Sequence, residues 1–534
     1  MTFYAGESFT DSEREVLNRH FTNLDGPVFA LVNLPEVVKG ALFARYSRSP
    51  KSLRRLFLDE FASDLAESPA NSLISAQSAD QLYERVFVEY GDDSVTQLGG
   101  VHLACEQASN VLTKVLEWGR LMSYLEQSTR YISYDTRLEG RYRFHRDPDL
   151  VGGPMGARFI SAMDRMFDSY KTMTSAVTNH VRATVPKSIM DSDFVYRQAT
   201  KAKALDAVRG ALPAAAVSNV GIYGSGQAYE AMLLRMRAHP LPEARQYAEL
   251  MLEELRKVIP VFMSRIDRSD RGVAWSAYLE EVRTSTERVV GEMFAAVQPE
   301  ESDEVVLTDF DPHGEDKVLA AICYAASTLP ENQIRRHVDR MSADDRVALL
   351  RAYVGDRQNR RHRPGRAFEA TAYRFDVLGD YGAFRDLQRH RLMTIEWQHL
   401  STSHGWVLPE LVEAAGVTDL FEATMELSAG LHDDLLERYP IQAQYAVAMA
   451  YRIRYVMQFN ARQAMHLLEL RTTPQGHPSY RRVAKEMHRQ IREVAGHRAI
   501  AAAMVHIGEA PVALERLEAE RRAERRRDDS AMPS

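Results

Sequence analysis

The densest polar constellation in the chain is residues 120–131, where Ser123, Glu126, Ser128 and Arg130 stand within eight residues. Hydroxyl, carboxylate and guanidinium groups together suit a phosphorylated, hydrogen-bonding ligand, because a guanidinium presents two parallel N–H donors to a phosphate edge. Taken alone, the stretch reads more simply as a capping and ion-pair segment on the surface. A second group, Arg389, His390 and Arg391, follows Gln388 and closes a helical pattern. Basic side chains at a helix C-terminus are favoured by the helix dipole whatever the function, although two guanidiniums flanking an imidazole would also suit a diphosphate. A third group, Asn460, Arg462, His466 and Arg471, lies near the end of the chain. Positions 462 and 466 share one helix face, which a polar pocket needs and which a core histidine satisfied by a neighbour would also show.

The elements that must position these groups occur twice. Residues 28–35 and 305–312 each read as a short apolar strand ended by proline, and each is followed by a helix-period segment ending near Tyr46 or Tyr324. The spacing is 277 to 278 residues. Residues 119–123 match 390–394 at a spacing of 271, and Arg235 can be set against Arg471 at 236. The falling spacing makes the first copy the longer one, mostly between Tyr131 and Asn219. Extended segments at 101–105 and 373–377 precede helices that Ser109 and Asp380 can cap. Long helical patterns cover 245–258 and 443–470, and the acidic, proline-containing stretch 298–304 separates the copies. The expectation is an α+β protein of two tandem units, residues 1–298 and 299–513, each helix-rich with a small sheet, and a charged C-terminal tail, 514–534. The tail's Glu and Arg residues at helical spacing make a solvated, fraying helix.

The composition is that of an ordinary globular chain: 534 residues, 45% apolar and 26% charged, with 67 Lys and Arg against 74 Asp and Glu, a net charge of −7. An acidic whole gives nucleic acid or an anionic membrane no global field to bind. No run of about 18 apolar residues suggests a membrane helix. The basic loop 360–366 reads as part of a ligand mouth or as a solvated loop. Cys105 and Cys323 are the only cysteines and have apolar neighbours, so they read as core thiols in a reducing, cytoplasmic setting rather than as a disulfide framework or zinc site.

Together the three groups resemble the flavin-dependent thymidylate synthases, whose pattern is an Arg-His-Arg, a Ser, a Glu-x-Ser-x-Arg-Tyr, an Arg four residues before a Pro, an Asn-x-Arg, an Asn or His, and a final Arg. In the first copy Arg120, Ser123, Glu126, Ser128, Arg130, Tyr131, Arg209 before Pro213, and Arg235 match, while Trp118, Gly119, Gly224, Gly226 and Glu230 do not. The second copy reverses this: Arg389, His390, Arg391, Asn460, Arg462, His466 and Arg471 match, while residues 397–402 and Gln444 depart. In that family the site is assembled between subunits, so the complementary losses would leave one full set shared by the two copies.

The resemblance implies an FAD-dependent methyltransferase acting at C5 of dUMP or a related uridine nucleotide, with 5,10-methylenetetrahydrofolate as carbon donor and NADPH as reductant. It implies that Arg389, His390, Arg391, Asn460, Arg462 and His466 hold FAD, with Glu126 and Ser94 reaching it from the first copy. Ser128, Arg130, Arg209, Arg389 and Arg471 would hold the nucleotide. Arg471, beside the pyrimidine, would favour its N3-deprotonated form and act as the catalytic residue. Two chains would form a homodimer with the shape of the family's tetramer. Asp386 stands where the family has a nucleotide-binding Gln, which puts dUMP itself in question. The other reading is a non-catalytic flavin- or nucleotide-binding homologue with a regulatory or scaffold role.

Overall fold

The computed structural model describes residues 7–46, 49–62, 97–189, 191–508, 514, 517, 520–522, 524 and 525. The chain divides into two compact units that interleave along the sequence. The first is Met1–Glu106, Gly119–Glu126 and Asn219–Val297; the second is Gln107–Trp118, Gln127–Ser218 and Gln298–Ser534. The second unit therefore takes in much of the first sequence repeat.

The first unit holds most of a three-stranded sheet, β1 (Gly100–Ser109), β2 (Met122–Glu126) and β3 (Val217–Ser225), in the order β1-β3-β2. β2 runs antiparallel to β3, with Met122 opposite Gly224 and Glu126 opposite Val220. β3 passes directly into the Gly226–Arg237 helix, whose first turn is capped by the Ser225 hydroxyl accepting from the Ala228 N–H at 3.3 Å. The Pro242–Val258 helix packs beside it through an apolar face that includes Ala248, Leu252 and Leu255.

The second unit holds a four-stranded antiparallel sheet of β4 (Val305–Phe310), β5 (Ala372–Asp380), β6 (Thr394–Trp397) and β7 (Arg452–Asn460), ordered β4-β5-β7-β6. Tyr373, Phe375 and Val377 on β5 and Ile453, Tyr455, Met457 and Phe459 on β7 are buried, alternating with more exposed residues as a one-sided sheet requires. The edge strand β4 is closed by a side chain: Gln490, on the Pro478–Glu493 helix, accepts from the Leu307 N–H at 2.6 Å and donates to the Val305 carbonyl at 2.7 Å. β5 leads into the Tyr381–Gln388 helix and β7 into the Ala461–Arg471 helix. Asp380 and Asn460 cap them, accepting from Ala383 and Gln463 N–H groups at 2.8 Å each.

The two repeats meet in this unit about a local pseudo-twofold axis. The Ala214 N–H donates to the Val447 carbonyl at 2.8 Å, and the Met449 N–H donates to the Leu212 carbonyl at 2.9 Å. An offset of 235 residues, the difference between Pro213 and Ala448, turns one bond into the other. The same offset relates Ala215 N–H to Tyr445 carbonyl (3.0 Å) and Ala450 N–H to Gly210 carbonyl (2.8 Å). Pro213 and Ala448 themselves form the bridge between them. Since Gln444 stands 235 after Arg209, this pairing supports the same alignment that sets these two residues against each other.

Three sequence expectations are corrected. Residues 28–35 form no strand, only an isolated Phe21–Leu31 bridge. Val28 is solvent-exposed, and Asn33 turns the chain with a left-handed φ of 53°. Residues 443–470 are not one helix: a short 3₁₀ turn (Gln442–Ala446), then β7, then the Ala461–Arg471 helix share that span. Its apolar residues from 453 to 459 alternate with period two, and pairing with β5 fixes them as a strand. In the tail, Arg521 is no fraying group. Its Nε donates to Asp191 Oδ1 at 2.6 Å, and Leu514 is buried.

Candidate functional site

The Tyr381–Gln388 and Ala461–Arg471 helices bring their C-terminal ends together in the second unit. Helix C-termini carry partial negative charge, so this is where guanidiniums are electrostatically favoured. Arg471, the last residue of one helix, donates from Nε to His390 Nε2 at 2.9 Å and from Nη2 to the Asp386 main-chain oxygen. An Nε2 that accepts leaves Nδ1 to carry the His390 ring proton, and the Gln463 amide group 3.4 Å away then serves as its acceptor by presenting its oxygen. Burial, reinforced by the Arg471 cation, pushes the His390 pKa well down, so the ring is neutral. Burial also lowers the pKa of Arg471 against the opposing pull of Asp386.

Two arginines of the first repeat reach the same place. Arg209 donates from Nη1 to Asp386 Oδ2 at 3.2 Å and from Nη2 to the Gly382 carbonyl at 3.1 Å. Arg389 and Arg471 stand 3.7 Å and 3.9 Å from the other Asp386 oxygen. Burial alone would raise the pKa of this carboxyl, but Arg209, Arg389, Arg471 and Arg130 hold it far below the carboxylate range. Arg130 spends its fork on Asp206, with Nε and Nη2 donating to the two carboxylate oxygens at 2.5 Å and 2.6 Å. Its Nη1 donates to the Tyr480 hydroxyl at 3.1 Å and its Nη2 to the Gln475 carbonyl at 3.1 Å. Asp206, largely buried, is likewise held well down, its neighbouring guanidiniums Arg130 and Arg209 outweighing desolvation. His477, which caps the Pro478–Glu493 helix, has its pKa lowered to about 4 by desolvation and by Arg209. Four guanidiniums thus face two carboxylates and neutral imidazoles. A cluster richer in guanidiniums than in the carboxylates they directly engage is suited to an anion.

Ser128 lies at the turn before Arg130, and its hydroxyl accepts from the Arg130 N–H at 3.2 Å. Of the residues expected at a flavin, Arg389 and Arg391 are solvent-exposed at the helix end. His466 stacks edge-on to His390 with ring centroids 5.4 Å apart, and burial together with Arg363 and Arg360 pushes its pKa down to about 4. Arg462 donates to the Pro364 carbonyl at 3.0 Å and to Glu369 at 3.3 Å, which brings the basic loop 360–366 against this helix. The loop is tethered a second time by Arg357, whose buried fork meets Glu469 at 2.7 Å and 2.6 Å while its Nε donates to the His362 carbonyl. Glu126 is buried at the end of β2 in the first unit, and Ser94 lies outside the described residues.

Where each repeat departs from the family pattern, local packing has taken the space. In the first unit a Cβ on Gly226 would come 2.8 Å from the Phe262 ring. Glu230, at the position of His466, is an ion-pair partner of Arg265 at 2.8 Å, and Arg235 is half-buried with its pKa lowered to about 10 by desolvation. In the second, Gln444 is committed to main chain, accepting from Leu400 N–H and donating to the Ile441 carbonyl, both at 3.1 Å. Cys105 is buried, with desolvation pushing its thiol up to about 12, and Cys323 is half-buried. Among the described residues no group of three or more His, Cys, Asp or Glu could hold a metal, and no helix is long and apolar enough to cross a membrane.

Motif reading missed Asp206, His477 and Tyr480. Asp206 precedes Arg209 by three residues and so shares its helix face, which is a usable signal. His477 and Tyr480 follow Arg471 by six and nine residues, and Pro478 at a helix start marks the turn that returns them to it.

The sequence profile of the thymidylate synthase complementing protein family matches the chain twice, over residues 41–261 and 306–496. A UPF0159 protein of Chlamydia pneumoniae is 37% identical over 494 residues, spanning 91% of this chain and 93% of the relative. One from Thermoplasma acidophilum is 29% identical over 509 residues, 90% and 97% of the two chains. Two solved structures align with part of the fold at 19% identity. One is a UMP/dUMP methylase from Streptomyces cacaoi bound with 5-Br dUMP, with a TM-score of 0.30 over 38% of this chain and 96% of that one. The other is a flavin-dependent thymidylate synthase from Helicobacter pylori complexed with FAD and dUMP, with a TM-score of 0.27 over 37% and 99%. The chain belongs to the thymidylate synthase complementing protein family, the flavin-dependent thymidylate synthases, with the family unit present twice in one α+β polypeptide.

Proposed function

We propose that the chain is an FAD-dependent thymidylate synthase-type methyltransferase. Its substrate on this reading is dUMP or a related uridine nucleotide, methylated at C5 with 5,10-methylenetetrahydrofolate as carbon donor and NADPH as reductant. The observation that carries the reading is the convergence of Arg130 and Arg209 from one repeat with Arg389, His390 and Arg471 from the other around a single carboxylate, Asp386. Decay of a dead duplicate has no reason to gather arginines of both copies around one carboxylate in one compact unit.

The donor set fits a flavin dinucleotide: Arg389 and Arg391 are exposed beside a neutral His390–His466 pair, with Arg360 and Arg363 near enough to depress the His466 pKa. These residues, with Asn460 and Arg462, would hold its diphosphate and ring. When bound, the flavin supplies a hydride. Arg209 and Ser128 orient the nucleotide, and Arg130 offers the N–H that Asp206, Tyr480 and Gln475 leave unused. Arg471 stabilises negative charge developing on the pyrimidine at N3, which raises electron density at C5 without the arginine giving up a proton. No enzyme thiol takes part, in keeping with the buried, unreactive Cys105. Two chains associating through family-type interfaces would give a cytoplasmic homodimer with the outline of a tetramer.

One observation favours a non-catalytic nucleotide-binding role instead: the Arg130 fork is already engaged by Asp206. The deciding experiment is NADPH oxidation by the FAD-loaded protein with methylenetetrahydrofolate present. Oxidation that depends on dUMP and releases the C5 hydrogen supports the enzyme; flavin and nucleotide binding without turnover supports the alternative.

A further inference from the structure

Tyr480, like Asp386, touches an arginine of each repeat. It is buried on the first turn of the Pro478–Glu493 helix, and Arg130 donates to its hydroxyl at 3.1 Å. Its ring lies under the Arg471 guanidinium at 5.3 Å, with that of Arg130 at 6.0 Å. Its helix is anchored on the sheet by Gln490 and on the preceding turn by Arg481, which donates to the Thr472 carbonyl at 3.3 Å. The ring therefore cannot follow either arginine if one of them moves.

Resting on the nucleotide-site reading above, we infer that Tyr480 is a positioning residue that sets Arg130 and Arg471 in register with each other. The hydroxyl accepts from Arg130 and also interacts with Arg471, and the ring lies under both guanidiniums. A hydrogen bond to a charged group and a cation over a ring face thus tie both arginines to one side chain. Tyr480→Phe removes the hydroxyl's hold and keeps the ring, whereas Tyr480→Leu removes both and keeps an apolar group in the space.

The test compares wild type, Tyr480→Phe and Tyr480→Leu as FAD-loaded full-length proteins, with active sites counted by flavin absorbance and folding checked by thermal melting. Tyr480→Phe is expected to raise the KM for dUMP about 10-fold with kcat within about 2-fold of wild type. Tyr480→Leu is expected to lower kcat by about a further 10-fold. A merely structural tyrosine would lower the melting temperature and the flavin-loaded fraction while leaving KM and kcat per loaded site unchanged, and that result overturns the inference. If wild type binds dUMP without turnover, calorimetric dUMP affinity replaces KM: a 10-fold loss in Tyr480→Phe upholds the inference, and equal affinity overturns it while leaving the site reading intact. A wild type that neither binds dUMP nor turns over removes both.

Discussion

Arg209 and Asp386 come from different repeats, yet the Arg209 Nη1 donates to the Asp386 Oδ2 at 3.2 Å inside one compact unit. The carboxylate stands where the family resemblance calls for a neutral glutamine. Its place in the structure explains how the chain tolerates it: Arg209, Arg389, Arg471 and Arg130 more than offset the cost of burying it. A buried carboxylate among four guanidiniums is a counter-ion for them before it is an obstacle to a nucleotide.

Replacing Asp386 by Asn should therefore have two opposed effects. Removing one partner of a buried ion cluster costs about 3 kcal/mol of stability, to be read from urea denaturation. Without the carboxylate the arginines present more uncompensated positive charge, so dUMP should bind more tightly in calorimetry. Weaker dUMP binding by a folded Asp386→Asn protein would show that the carboxylate contacts the ligand favourably.

The acid limb of stability should belong to histidines first and carboxylates later. His390 and His466 have folded pKa values lowered from the ordinary value near 6.5, to about 4 for His466, by burial and neighbouring arginines. Their contribution is full above pH 6.5 and is lost as pH falls through the folded values. Asp206 and Asp386 are also lowered, so what they contribute is present above the unfolded carboxylate range and disappears only below pH ~4. Denaturant midpoints should stay level from pH 8 to about 6.5, decline toward 4, and fall again below it. His466→Gln should flatten the first decline.

The Arg357–Glu469 pair should matter to stability more than any surface ion pair. Both side chains are buried and bidentate, and Arg357 also donates to the Ala503 carbonyl at 2.6 Å. Glu469→Ala should cost about 3–5 kcal/mol, because it strands a buried guanidinium. By loosening the loop at 360–366 it should also weaken FAD retention, measured by flavin loss on gel filtration. Arg366→Ala, an exposed pair with Glu369, should cost less than about 1 kcal/mol.

Arg471→Ala should lower kcat/KM about 10²–10³-fold while leaving FAD bound, since no other guanidinium stands on both His390 and Asp386. Arg235→Ala, its counterpart in the other repeat, should leave turnover per folded chain unchanged.

Much of this site was legible in the sequence because the residues that carry it are of chemically narrow types at fixed spacings. The caps Ser109 and Asp380, the helix ending at Arg389 and the duplicated Arg-Leu-Met all stand where the sequence places them. What failed did so for tertiary reasons. The residues of β7 read as part of a long helix, and only β5 on one side and β6 on the other give their period-two alternation its meaning. Asp206 and Tyr480 belong to no motif, and their roles arise from which arginines the fold delivers to them. The commitment of Gln444 to main chain depends on Leu400, 44 residues away, which no spacing rule connects to it.

The central claim is that one nucleotide site is built inside a single chain from both repeats. It is tested most directly by calorimetric dUMP titration of FAD-loaded protein, using wild type, Arg209→Ala, Arg471→Ala, and the two variants co-expressed and co-purified. The account predicts one dUMP per wild-type chain, none for either variant, and no recovery in the mixture, because each chain lacks one half of its own site. Recovery of binding in the mixed protein would show that the two halves are supplied by different chains and would contradict it.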